Sequence, residues 1–126
     1  MGIAIIKITL TNLNHIFYKC YNLKDISELK YLNVNEVNDF SWMFCNCSSL
    51  PDIKPLQNWN VSNGNNFIGM FWGCSSLSDI KSLQNWNVSN GKNFIYMFVG
   101  CPFLSDIQPF HNWGYFKSMF DTNKYN

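Results

Sequence analysis

One stretch of this chain, Phe67 to Asn93 (FIGMFWGCSSLSDIKSLQNWNVSNGKN), stands almost unchanged 27 residues earlier, at Phe40 to Asn66, and begins again 27 residues later at Phe94. A fixed period of about 20 to 50 residues marks a repeat protein, whose single unit is too small to bury its own apolar face and buries it against its neighbour. A weaker copy comes first. Phe17, Cys20, Leu23, Asp25, Ile26, Leu29, Leu32 and Val34 each precede Phe44, Cys47, Leu50, Asp52, Ile53, Leu56, Trp59 and Val61 by the same 27 positions.

The chain therefore divides into units at 13–39, 40–66 and 67–93, with a fourth over 94–120. That fourth unit loses the counterpart of NVSNG after Trp113 and restarts an F-x-x-M-F signal at Phe116, Met119 and Phe120. Residues 1–12 alternate apolar Ile6, Ile8 and Leu10 with Lys7, Thr9 and Thr11, which reads as a strand capping the apolar end of the array. Residues 121–126 read as a polar tail.

Inside one unit two rhythms follow each other. Phe67, Met70, Phe71 and Cys74 are spaced as one face of a short helix, with Asn65 and Asn66 where an N-cap belongs and Gly73 near a helix end. Leu77, Ile80, Leu83 and Trp86 then step by three, which suits irregular chain with a short strand or a 3₁₀ turn. Asn90-Gly91, like Asn63-Gly64, supplies a turn into the next unit.

The text around Trp86–Cys101, WNVSNGKNFIYMFVGC, resembles the BspA-type leucine-rich-repeat family, whose unit is similar to W-[DN]-x-S-N-x-x-[ND]-[MF]-x-x-M-F-x-x-C-x-x-L. Trp59, Asn60, Ser62, Asn63, Asn66, Phe67, Met70, Phe71, Cys74 and Leu77 fit that pattern, and the likeness extends from about Leu13 to Phe120. The resemblance implies a right-handed α/β repeat solenoid of leucine-rich-repeat type, with one short parallel strand and one helical turn per 27-residue unit. It also implies a surface or adhesin-like recognition role. The period here is 27 where the commoner form has about 25, and the array is short.

Composition removes several function classes. Net charge is +1 and all nine basic residues are Lys, so the Arg-rich basic face of a nucleic-acid reader is missing. No run approaches the ~18 apolar residues of a membrane span. MGIAIIKITL lacks the basic start and cleavage site of a signal peptide, so the default expectation is cytoplasmic, with a surface or secreted location if the true N-terminus lies elsewhere. His15 and His111 stand alone and no G-x-S-x-G, H-E-x-x-H or phosphate loop occurs, so the expectation is no enzyme, no cofactor and no metal. Asn occurs 19 times, which suits turns and stacked polar rows.

Three columns of identical residues call for weighing. Cys20, Cys47, Cys74 and Cys101 lack the paired C-x₂₋₄-C spacing of a zinc site, and read as a row of buried thiols. Cys45 interrupts its own column of Tyr18, Trp72 and Val99, and reads as partly exposed. Asp25, Asp52, Asp79 and Asp106 form a carboxylate column without the glycines of calcium-binding repeats, and read as acceptors for backbone N–H groups at a bend. Trp59, Trp86 and Trp113 form an aromatic column whose first member is Leu32, as a core position allows; exposed, it would stack on sugars or partner rings.

The positions that differ between units are the candidates for contact. The second residue after each Phe is Trp42, Gly69 or Tyr96, and the fifth is Cys45, Trp72 or Val99. Trp42, Trp72 and Tyr96 thus make a candidate recognition surface, since Trp and Tyr are enriched where proteins meet; drift at unconstrained positions is the bland alternative. The expected function is a non-catalytic protein–protein recognition scaffold. An adhesin-like or carbohydrate-binding module and a remnant of a longer array are the alternatives. Partners are expected to be a protein, or a second copy by end-to-end association.

Overall fold

The computed structural model describes residues 8–107, Trp113 and residues 116–120; the 121–126 tail and the first seven residues of the 1–12 strand expected above lie outside this set. Residue 12 already pairs in parallel with Asp39, Asp39 with Asn66, and Asn66 with Asn93, so each unit lies over the next in 27-residue register.

The expected α/β solenoid of leucine-rich-repeat type is overturned. Among the described residues there is no sheet, and units 13–39, 40–66 and 67–93 each contribute one residue to isolated parallel bridges where a strand was expected. The 67–74 stretch and its counterparts in the other units do not form the expected helical turn; among the described residues regular helix is confined to the 3₁₀ turns Ser27–Tyr31, Lys54–Leu56 and Lys81–Leu83 and one α-helical turn near the end of the fourth unit, Phe116–Met119. The reason lies in where the N–H groups go. Along 40–47 the amides of Phe40, Trp42, Phe44 and Asn46 donate to the carbonyls of Asn66, Ile68, Met70 and Trp72 in the next unit, at 2.7–2.8 Å. The amides between them close tight turns instead, Met43 onto Phe40, Cys45 onto Trp42 and Cys47 onto Phe44.

That alternation requires a left-handed backbone at two places per unit. Trp42 (φ 57) and Asn46 (φ 60) hold it in the second unit, and Gly69 (φ 57) and Gly73 (φ 73) in the third. An α-helix cannot run through such residues. The turns still bring Phe67, Met70, Phe71 and Cys74 to one side, so their burial imitates a helical face.

The three-residue stride gives 3₁₀ turns. In the first three units the column aspartate, Asp25, Asp52 or Asp79, accepts the backbone N–H two residues on (Ser27, Lys54, Lys81) at 2.9–3.1 Å. This fixes the bend from which Leu29, Leu56 and Leu83 donate back to Ile26, Ile53 and Ile80. A second polar column works likewise: Asn12, Asp39, Asn66 and Asn93 accept the N–H of Asn14, Ser41, Ile68 and Ile95.

The core is built of columns that cross the units. Phe17, Phe44, Phe71, Phe98 and Phe120 stack ring on ring at 5.3–5.5 Å, and Phe40, Phe67 and Phe94 do the same at 5.2–5.4 Å. Trp59, Trp86 and Trp113 follow at 6.4–6.5 Å, all nearly buried. Side chains of the buried Trp column and of an exposed Asn column also reach backward for acceptors. The indole N–H of Trp59 and Trp86 donates to Leu29 and Leu56 carbonyls at 2.8–2.9 Å, and Asn63 and Asn90 amides donate to Asn35 and Ser62.

The first unit omits those backward donors. It carries Leu32 where the others have Trp and Glu36 where they have Asn, and neither demands an acceptor from a preceding unit. Its core residues Phe17, Cys20, Leu23, Leu29 and Leu32 are only half-buried, whereas Phe44, Cys47, Leu50 and Leu56 are wholly buried. Unit 13–39 therefore has the chemistry of a terminal layer.

Candidate functional site

The buried columns dispose of most of the residues singled out by the sequence. Cys47, Cys74 and Cys101 lie in the core, each thiol donating to a carbonyl 30 residues earlier (Phe17, Phe44, Phe71) at 3.1–3.2 Å. Burial pushes the Cys47 thiol up to about 12 and the Cys74 thiol higher still. All five cysteines are free thiols. Asp25 is exposed, and its hydrogen bond from the Ser27 backbone holds the carboxyl below its ordinary value. Asp106 is exposed too, 3.6 Å from the Lys81 ammonium. Among the described residues no three His, Cys, Asp or Glu side chains converge as metal ligands would. No helix among them is long and apolar enough to cross a membrane.

The variable columns behave differently. The left-handed backbone at Trp42, Gly69 and Tyr96 turns that column away from the Phe–Met core, and the fifth-position column runs beside it. Together they form a groove of about 400 Å³ lined by Tyr18, Trp42, Cys45, Trp72, Tyr96 and Val99. Every lining residue comes from those two columns, and all four units contribute. Trp42, Trp72 and Tyr96 are thus brought together in one groove.

Gly69 makes the groove possible. The Trp42 ring lies directly over it, in the space a Cβ would take, so any side chain at 69 would displace the indole. Cys45 is only 2% exposed rather than open to solvent; burial raises its thiol's pKa, and the charge on Lys19 works against that rise. At the first-unit end Lys19 sits 5.3 Å over the Tyr18 ring and His15 meets that ring edge-on at 5.1 Å. No acidic or amide side chain lines the groove. Tyr18 at this end was legible only as one more member of the fifth-position column.

Rings set side by side in this way leave room for flat or extended apolar groups between them. Fold and site together define a repeat protein in which aromatic side chains vary on an otherwise monotonous frame. The chain belongs to the family described as "Mycoplasma protein of unknown function, DUF285", whose model matches residues 9–125. That family, rather than the BspA-type leucine-rich-repeat family, is what the match establishes. No curated protein and no solved structure matches the chain.

Proposed function

We propose that the protein is a non-catalytic recognition module that binds a protein partner through the aromatic groove. The observation that supports this reading is the lining itself: two indoles and two phenols from four successive units, drawn from the columns that vary while the core columns stay constant. Trp and Tyr give large contact area for few rotamers lost, and they dominate the energetic centres of protein interfaces. A carbohydrate site would pair carboxylates or amides with the rings; the polar side-chain groups of the lining residues are the Trp42 and Trp72 indole N–H, the Tyr18 and Tyr96 hydroxyls and the Cys45 thiol, with no carboxylate or amide among them.

The test compares the wild-type chain with Trp72→Ala and Tyr96→Ala, first by cross-linking and affinity capture on a membrane-protein and a soluble-protein fraction of the source cell. Binding of the purified captured protein is then titrated by tryptophan fluorescence. Each truncation is expected to weaken binding about 30-fold, the ~2 kcal/mol of a hot-spot residue, with little change in melting temperature. Capture of the same proteins in the same yield by the double variant would sink the reading, as would binding of glycans alone.

A further inference from the structure

The two ends of the stack are unlike in a way that fits them to each other. In the first unit the amides of Leu13, His15, Phe17 and Lys19 donate forward to Asp39, Ser41, Met43 and Cys45, and the amides of Asn14, Ile16 and Tyr18 are satisfied within their own turns or by the Asn12 side chain. The carbonyls of Asn12, Asn14, Ile16 and Tyr18, which occupy the positions of those acceptors one unit earlier, accept no hydrogen bond from any described residue. The first edge is therefore a row of acceptors with no donor among them. It is also apolar: Phe17, Leu23, Leu29 and Leu32 are half-buried there, and Ile16, Tyr21 and Tyr31 are exposed.

The fourth unit presents the opposite edge. By the same register the amides of Phe94, Tyr96, Phe98 and Gly100 point onward. Tyr96 and Phe98 donate to Ser118 and Met119 at 2.8 Å, while Phe94 and Gly100 have no acceptor among the described residues. The short segment Phe116–Phe120 covers this edge, with Phe120 stacked on Phe98 at 5.3 Å. That ring holds the place which Phe44 holds over Phe17, and Phe71 over Phe44.

We propose that the partner of the N-terminal edge is a second copy of this chain, docking by its fourth-unit edge once residues 116–120 swing away. Phe17 of one copy then replaces Phe120 on Phe98 of the other. The open carbonyls of Asn12, Asn14, Ile16 and Tyr18 receive the four amides of the 94–100 segment, continuing the hydrogen-bond ladder that already joins the units within one chain. Head-to-head pairing is excluded by the same facts, because two acceptor rows would face each other unpaired. The contact is heterologous and repeats the unit-on-unit stacking within one chain, so copies add end to end into linear assemblies rather than pairing as an isologous dimer. Segment 116–120 is then the chain's own inhibitor of polymerisation, as a covering segment is for an open hydrogen-bonding edge in sheet proteins.

The experiment is light scattering after size exclusion on the full-length chain over a concentration series, with circular dichroism to verify folding. M119D/F120D, which releases the covering segment, is expected to give a mass that climbs with concentration without a plateau. Adding I16K/Y21K, exposed substitutions at the acceptor edge, is expected to return it to the monomer. If M119D/F120D does not fold, the milder F120A is read in the same way. A folded F120A or M119D/F120D chain that stays monomeric up to about 1 mM overturns the proposal. So does association that I16K/Y21K leaves intact, or a closed dimer of constant mass.

Discussion

Truncation of Trp86 to alanine probes the columnar core at its centre. Trp86 is 5% exposed, stacks between Trp59 and Trp113 at 6.5 and 6.4 Å, and meets Phe67 at 6.4 Å. Its indole N–H donates to the Leu56 carbonyl at 2.9 Å. That carbonyl also accepts the Trp59 amide, so it keeps one partner when the indole is removed. The hydrogen-bond loss is therefore on the order of 1 kcal/mol, and the larger cost is the cavity left between two rings, about 3–5 kcal/mol for a buried aromatic truncated to alanine. Against a total stability of about 5–15 kcal/mol, W86A is expected to lower the urea midpoint sharply or leave the chain unfolded. W86L copies the residue found at Leu32 and should lie between the two. Equilibrium urea unfolding followed by circular dichroism measures both. A W86A stability within about 1 kcal/mol of wild type would refute the columnar packing argument.

Gly69→Ala puts a Cβ on a left-handed backbone and into the Trp42 ring, so it should cost roughly 1–3 kcal/mol and shift Trp42 fluorescence; unchanged emission and melting would contradict the groove geometry. Iodoacetamide at pH 8 should label half-buried Cys20 in the native chain and spare Cys47, whose thiol is pushed up to about 12 and leaves roughly one part in 10⁴ as thiolate; mass spectrometry of the native and denatured chains reads this. Asp39 accepts from the Ser41 amide and the Asn14 side chain, and although burial opposes them these bonds hold its carboxyl below the ordinary 3.8. Its contribution is thus present above pH 3.8 and is lost as pH falls through the lower folded value. D39N, which restores the residue used at 12, 66 and 93, should flatten that acid loss while changing little at pH 7; an identical acid unfolding curve would rule it out.

Much of the architecture was legible because the units repeat. Register, unit boundaries and the Phe, Cys, Trp and Asp columns follow from one spacing, and a polar or charged column must satisfy itself locally, as Asp52 does with the Lys54 amide. The local conformation was not legible. Phe67, Met70, Phe71 and Cys74 are buried at helical spacing, but turns with positive φ at Gly69 and Gly73 produce the same burial. The signal for those turns is masked in the neighbouring units, where Trp42, Asn46 and Tyr96 adopt the same left-handed backbone with side chains that rarely choose it. The helical spacing carries no mark of the alternate amides that the next unit claims.

The candidate site was half legible. Variation at Trp42, Trp72 and Tyr96 marked the face, since core columns cannot vary so freely. That Gly69 leaves room for the Trp42 ring, and that Tyr18 and Val99 extend the groove to both outer units, depends on which neighbours the register brings side by side. Cys45 shows the limit of column reasoning: its counterparts Tyr18, Trp72 and Val99 are larger, and the small thiol is almost wholly covered among them.

The groove and both edges of the stack depend on one claim, that successive units lie in 27-residue register with alternate amides bonded between them. Nuclear Overhauser contacts in the labelled chain test it most directly. The account predicts ring-to-ring contacts between Phe44 and Phe71 and between Phe71 and Phe98, at centroid separations of 5.5 Å, together with slow exchange of the Trp42, Phe44, Gly69 and Phe71 amides. Continuous helical contacts along 67–74 without those inter-unit contacts would contradict it.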